Sequence, residues 1–355
     1  MKRLSIIVPM YNVEPYVERC IRSLEDQDIP KGDYEIICIN DGSPDNSREV
    51  VLYLQKEFNN IILIDQENQG VSMARNNGID MASGKYLLMV DPDDYVKANA
   101  FKNKLDALDK YDLDIGFTGF TILNEALKEE YHYDPIIKQN KVSTGIGYKK
   151  NQMKDMYPIR DPHRLWAVFL KTSFINSNNL RFLANVPYLE DGELLARATC
   201  LAKKVLFLND PLYLRTTRPG SATHSRLSHS EKGRNGFLKA AHNLLQFKNT
   251  VCKNEEQKAF MNQSIIHFTI RFITCHGKFS YFKHYSKIFN SLKKGPLKKL
   301  ETNGCYNLYL KMAKCYNLSI HIFYIFWLFT SLRKSLTIKL NKLQLMQISR
   351  KSALN

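Results

Sequence analysis

Tyr86-Leu87-Leu88-Met89-Val90-Asp91-Pro92-Asp93-Asp94 is an apolar run that ends in three carboxylates. The run reads as a buried strand whose end reaches solvent. Three like charges at one strand end repel one another, and are tolerated where water solvates them or a divalent cation neutralises them. Oxygen ligands select a hard ion such as Mg²⁺ or Mn²⁺ over Zn²⁺. Hard ions held by few carboxylates commonly share a diphosphate. Two readings stand at this point. One is a metal–nucleotide site at the carboxyl edge of an α/β sheet, where open sheets bind ligands. The other is a polar turn in which Asp94 caps a following helix.

The flanking sequence repeats a strand–helix rhythm. Leu4 to Val8, Tyr34 to Ile39, Ile61 to Ile64 and Tyr86 to Val90 are the apolar, β-rich runs. Between them, Asn12 is placed to cap a helix whose stripe is Tyr16, Val17, Cys20, Ile21 and Leu24. Further helices are expected from about Asn46 to Phe58 and from Gly70 to Ala82. Such alternation implies right-handed crossovers and a mostly parallel sheet flanked by helices, and continuous Ile/Val/Leu runs suit strands covered on both faces.

Loops after successive parallel strands converge in space. Here they carry Pro9-Met10-Tyr11-Asn12, Asp41-Gly42-Ser43 and Asp91 to Asp94. Asp41 can accept from a base N–H, and Tyr11 can stack on the base. No GxGxxG follows the first strand and no GxxxxGK[ST] is present, so phosphate charge falls to a metal and basic side chains rather than a glycine cradle.

Four blocks, SIIVPMYN, INDGSPDNS, NQGVSMARNNGIDMASGKYLLMVDPDD and YLEDGEL, stand in an order and spacing that resemble the family 2 glycosyltransferases of GT-A fold, over about the first 225 residues. The resemblance implies a Rossmann-like α/β domain and an inverting transfer of a sugar from a nucleotide diphosphate, usually UDP, to a hydroxyl. It implies that Pro9, Tyr11, Asp41 and Arg75 surround the nucleotide. Asp91 and Asp93 would be the DxD pair that meets ribose and metal (Mn²⁺ or Mg²⁺), with Asp94 beside donor sugar or metal. Inversion needs a base on the face opposite the leaving diphosphate, and a carboxylate in reach of the acceptor hydroxyl suffices. By resemblance that base is Asp191 of Glu190-Asp191-Gly192-Glu193, with Glu190 orienting it or the acceptor. Glu193 is near enough in sequence to compete. The same acids also suit a helix amino end, where they offset the macrodipole. Trp166, ahead of the helix-like AVFLKTSFI, is either an acceptor-side platform or a core aromatic. Arg215, Arg218 and His224, in a segment resembling one that closes over the donor, are candidate diphosphate contacts.

The remaining sequence carries a different signature. Residues 226–355 hold 23 Lys/Arg and four acids, a net of +19, whereas residues 1–225 hold 28 basic and 31 acidic residues, a net of −3. The division predicts a catalytic domain over 1–225 and a basic helical domain over 226–355. A polycationic block wants an anionic partner. Leu318 to Leu332 is the most apolar stretch, is too short to span a bilayer, and precedes a Lys-rich tail. It reads as a helix lying in the interface of an anionic membrane, or as a buried packing helix. Nucleic acid is excluded as the partner, since no RNA- or DNA-binding motif is present. Residues 129–148 read as a polar hairpin or loop on the acceptor side. The seven cysteines have no metal-type spacing and an odd count, so reduced thiols in the cytoplasm are expected. Met1-Lys2-Arg3 runs straight into a strand rather than a signal peptide.

The combined expectation is a UDP-sugar transferase acting on a glycan or lipid-linked glycan in bacterial capsule, O-antigen or exopolysaccharide synthesis, peripheral on the inner face of the cytoplasmic membrane. Two alternatives accompany it. A nucleotidyltransferase would need a basic loop after the first strand, which PMYN does not offer. A non-catalytic membrane scaffold would not need Asp41, Asp91, Asp93 and Asp191 together.

Overall fold

The structure, a computed structural model, describes residues 2–124, 129–133, 141–153, 165–216, 226–275, 288–292, 295–305 and 307–331. Nine strands among them form one sheet: β1 (Leu4–Met10), β2 (Tyr34–Asp41), β3 (Ile61–Gln66), β4 (Tyr86–Met89), β5 (Tyr95–Val96), β6 (Ile115–Asn124), β7 (Glu129–Tyr133), β8 (Val168–Lys171) and β9 (Val205–Thr216). Their order is β3-β2-β1-β4-β8-β6-β9-β5, with β7 paired to β6.

The first four strands are parallel, with Ile6 beside both Ile36 and Leu88. Crossovers are made by α1 (Glu14–Glu25), α2 (Ser47–Leu54) and α3 (Val71–Met81). Beyond β4 the sheet is mixed, because β8 enters antiparallel and pairs Leu88 with Phe169. The helix-like AVFLKTSFI therefore divides. Val168–Lys171 is strand, since its alternating large residues fill the ladder between β4 and β6, and only α6 (Thr172–Ser177) is helical.

Asn12 does not cap α1. Val13 occupies the N-cap position, and Asn12 turns the chain with φ 55°. The helix's free amides are met from the next loop instead, where Asp45 accepts from Glu14 N–H at 2.8 Å and Ser47 from Val13 N–H at 3.1 Å.

Helices cover both faces of the sheet. Val17, Ile21 and Leu24 of α1 pack with Val51 and Leu54 of α2 on Leu4, Ile6, Val8, Ile36 and Cys38. On the other face Ile7, Leu87 and Met89 meet Ile79 of α3 and Leu194 and Ala198 of α7 (Glu190–Leu201). α4 (Lys102–Tyr111) and α5 (Gly145–Met153) complete this part.

A separate apolar core lies in the carboxyl-terminal region, built by α8 (Glu231–Thr250), α9 (Glu255–Thr274), α10 (288–292), α11 (Asn307–Leu318) and α12 (320–331). Ser230 and Asn254 cap α8 and α9 with side-chain oxygens. α7 belongs to both cores, since Ala196 and Cys200 on its far face pack with Phe237, Leu244 and Ile266. All seven cysteines are free.

Candidate active site

The carboxyl ends of β1, β2 and β4 form the floor of the site. Ser43 fastens the first two loops, accepting from Asn12 N–H at 3.3 Å and donating to the Met10 carbonyl at 3.4 Å. Pro9 is buried beneath this junction, and Tyr11 stands about half exposed at its rim. Asp41 is buried at the end of β2. Its Oδ1 accepts from Gln66 Nε2 and Gln69 N–H, and its Oδ2 from Gly70 N–H. Gly70 has φ +86°, which an L side chain rarely adopts, so the turn that aims this amide favours glycine.

Arg75 of α3 joins the two acidic motifs. Its Nη2 donates to Asp91 Oδ1 at 2.8 Å and its Nη1 to Glu190 Oε1 at 2.7 Å, while the guanidinium lies over the Phe182 ring. Its side chain is 6% exposed, against 31% for Asp91 and 13% for Glu190. Burial opposes the charge of Arg75, but Asp91 and Glu190 outweigh it and hold the guanidinium firmly protonated. Burial pushes Asp91 above its ordinary range and the Asp93 carboxylate adds to this, despite the pull of Arg75. Burial also raises Glu190, against Arg75 and with Asp191.

Asp94 turns away from the opening. It is 3% exposed, its Oδ2 accepts from Tyr213 Oη at 2.7 Å, and its Oδ1 accepts from Thr216 N–H at 2.7 Å. Thr216 Oγ1 donates to the Asp93 carbonyl at 2.7 Å. Asp94 thus neither caps the next helix, which starts at Lys102, nor presents a free oxygen to a donor. It fixes the end of β9 to the DPDD loop. Burial, with the charges of Asp91 and Asp93, lifts it to about 8. Tyr213 also receives the Asp91 N–H at 3.1 Å. Its ring stacks on Trp166 at 4.4 Å, and Phe120 meets Trp166 edge-on. Trp166, 8% exposed, is the core aromatic behind the carboxylates rather than a surface platform.

The second acidic motif opens α7. Leu189 at its N-cap has φ 62°, and every other non-glycine with positive φ among the described residues is Asn or Asp. A branched side chain held there costs about 1–2 kcal/mol, and backbone strain of this kind gathers at functional sites. It sets Glu190 toward Arg75 and leaves Asp191 partly exposed, with its Oδ1 accepting from Gly192 N–H at 2.7 Å. Glu193 does not compete for the role of base. It is fully buried, salt-bridged to Arg197 at 2.6 Å and bonded to Asn243 of α8 at 2.7 Å.

Residues 5–176 match glycosyl transferase family 2. That segment is a family 2 glycosyltransferase domain. The chain is 35% identical over 220 residues to "Uncharacterized glycosyltransferase EpsJ" of Bacillus subtilis, covering 62% of each. It is 30% identical over 274 residues to "Minor teichoic acid biosynthesis protein GgaB" of the same organism, covering 74% of this chain and 28% of that protein. The chain therefore spans less than two thirds of the length of these curated relatives. Among solved structures, Staphylococcus aureus TarS 1–349 in complex with UDP-GlcNAc superposes with TM-score 0.62 at 21% identity, over 82% of this chain and 79% of that one. The likeness shows the GT-A fold.

Within the family 2 domain, Asp91 and Asp93 are the oxygen donors suited to a hard divalent ion. Their mutual charge leaves a cation deficit, and no group of three or more acids, His or Cys among the described residues forms a ready metal cage. That donor set fits an ion shared with a diphosphate better than one held by protein alone. Arg215 lies in β9, just before Thr216. Arg218 and His224 lie outside the described residues. The sequence reading missed Tyr213, Thr216, Phe182 and Leu189 as site residues, because each acquires its place through tertiary packing or backbone geometry and not through a motif.

Proposed function

We propose that this chain is an inverting glycosyltransferase that moves a sugar from a UDP-sugar to a hydroxyl of a glycan or lipid-linked glycan. The observation that carries the reading is the Asp91–Arg75–Glu190 chain, which couples the donor-side carboxylates to the start of α7, where Asp191 is partly exposed. Asp41, Tyr11 and Pro9 line the nucleotide end, and Arg215, Arg218 and His224 are the candidates for diphosphate contact. Asp91 and Asp93 would hold a divalent ion, Mn²⁺ or Mg²⁺, whose positive charge would offset that of the diphosphate. Asp191 accepts the proton of the acceptor hydroxyl as its oxygen bonds to the anomeric carbon and the bond to the diphosphate breaks. The configuration inverts, so an α-linked donor gives a β-linked product. Glu190, tied to Arg75, holds the first turn of α7 in place for this step.

The teichoic acid relative supports an acceptor in cell-surface polymer synthesis, the class that includes capsule, O-antigen and exopolysaccharide. The catalytic domain is taken as residues 1–225 and the basic helical domain as 226–355. A lipid-linked acceptor would put the protein peripherally on the inner face of the cytoplasmic membrane. Among the described residues no helix is long and apolar enough to cross a membrane.

The test is UDP release from a panel of UDP-sugars with Mn²⁺ or Mg²⁺, with and without EDTA, in the presence of glycan acceptors. One donor is expected to be turned over in a metal-dependent way. Asp191→Asn is expected to lower kcat by about 10³-fold with donor binding intact. Unchanged turnover in that variant would remove Asp191 as the base and point to Glu190.

A further inference from the structure

α11 and α12 are apolar on two sides. One side is spent in the helical core, where Met312, Ala313 and Tyr316 of α11 and Ile320, Phe323 and Tyr324 of α12 are buried. The other side is open. Leu318 is 77% exposed, Ile322 46%, Ile325 67% and Phe329 73%, at spacings of four, three and four residues. Ile322, Ile325 and Phe329 lie on one stripe of α12, and Leu318 ends α11 just before the break at Ser319. Lys311 and Lys314, seven and four residues before Leu318, are exposed on the same face of α11. The surface is therefore basic at one end and apolar along the rest. In sequence, Arg333 and Lys334 follow it.

A buried packing helix needs no second apolar stripe, and clustered exposed apolar side chains mark interaction surfaces. A protein partner would be met with an apolar patch of either charge. The net of +19 over residues 226–355 instead selects an anionic surface. We propose that the Leu318–Ile322–Ile325–Phe329 stripe, with Lys311 and Lys314, is a docking surface for an anionic lipid bilayer. The two helices lie along the interface, their exposed apolar residues among the upper acyl chains and the α11 lysines at the headgroups. The proposal deepens the peripheral reading above by naming the surface. Its opposite face packs in the core that α7 shares, so docking would hold the Asp191 helix at a fixed attitude to the membrane. A lipid-linked acceptor would then meet the base from one side.

The test uses the full chain and flotation with phosphatidylcholine vesicles that contain or lack phosphatidylglycerol. Binding is expected to the anionic vesicles and to weaken at high salt. Ile325→Glu with Phe329→Glu should reduce it by about tenfold or more. Lys311→Glu should reduce it by about fivefold. Donor turnover in solution should be unchanged in both variants, which separates this proposal from the transferase reading: absence of turnover in wild type with vesicle binding intact would sink only the latter. Undiminished binding by the double variant would overturn the docking surface, as would binding that disappears only when residues 335–355 are removed. Conversion of a wild-type oligomer to monomer by the double variant, with vesicle binding kept, would assign the stripe to a second copy of the chain and overturn it equally.

Discussion

The two edges of the sheet treat the same residue type in opposite ways. At the amino edge, Glu35 is buried between Ser5, Ser83 and Lys2, Asp109 meets Lys85 and Arg3, and Asp112 meets Lys171 and Lys204. All three carboxyls are held below their ordinary range: burial works against Glu35 and Asp109, and their donors outweigh it. At the carboxyl edge, Asp91 and Glu190 share the one guanidinium of Arg75, and Asp94 has only hydroxyl and amide donors for its own two oxygens. These three are pushed above the range, Asp94 to about 8. Compensated carboxylates stabilise the fold. Undercompensated ones store a demand for positive charge, which is how perturbed groups come to mark functional sites. The amino edge is balanced by the chain itself, whereas Asp91, Asp94 and Glu190 at the carboxyl edge are left short of positive charge.

Breaking Arg75 tests the contrast most severely. Arg75→Met leaves two carboxylates close together without their cation, and is expected to cost about 3 kcal/mol of stability and most of the activity. Arg75→Lys should recover little, because one ammonium cannot bond both acids as the forked guanidinium does. Thermal denaturation beside donor turnover would read both effects. A Lys variant with wild-type kinetics would show that Arg75 supplies charge alone.

Asp94→Asn is a smaller change with a sharper meaning. The amide keeps an acceptor for Tyr213 or for Thr216 N–H, but not for both. The expected loss is about 2 kcal/mol, together with a rise in donor KM because the end of β9 is no longer fixed. A variant that lost metal affinity while keeping stability would instead return Asp94 to the metal.

At the other edge, Glu35→Gln should cost about 1 kcal/mol near neutral pH. Because the folded value of Glu35 is depressed, its contribution is full above the unfolded value of about 4.3 and fades as pH falls through the folded value. Denaturation curves for wild type and variant should therefore draw together as pH falls from about 4.3 and meet below the folded value. A constant gap down to low pH would mean that packing, not charge, is what Glu35 provides.

Much of this was legible in the chain. The parallel half of the sheet follows from continuous apolar runs such as Tyr34 to Ile39, and the site's place follows from where DGS, DPDD and EDGE interrupt the rhythm. What escaped depends on partners distant in sequence. From sequence Asp94 reads as a cap or as a contact to donor sugar or metal, because β5 and β9, whose antiparallel pairing brings Tyr213 and Thr216 to it, are far apart in the chain. Val168–Lys171 resembled the start of a helix because a short apolar run has no period of its own, and only its neighbours β4 and β6 make it a strand. Spacing alone does not separate Glu193 from Asp191 as the base. The buried Arg197 and Asn243 that claim it are placed by the packing of α7 on α8.

The central claim is that the carboxyl edge is completed by a nucleotide and a divalent cation together. It is tested most directly by thermal unfolding of the full chain with UDP, with Mn²⁺, and with both. The account predicts that the pair raises Tm by more than the sum of the separate shifts, and that Asp93→Asn abolishes the excess while leaving the unliganded Tm nearly unchanged. A UDP-induced shift of the same size in EDTA and in Mn²⁺ would contradict it.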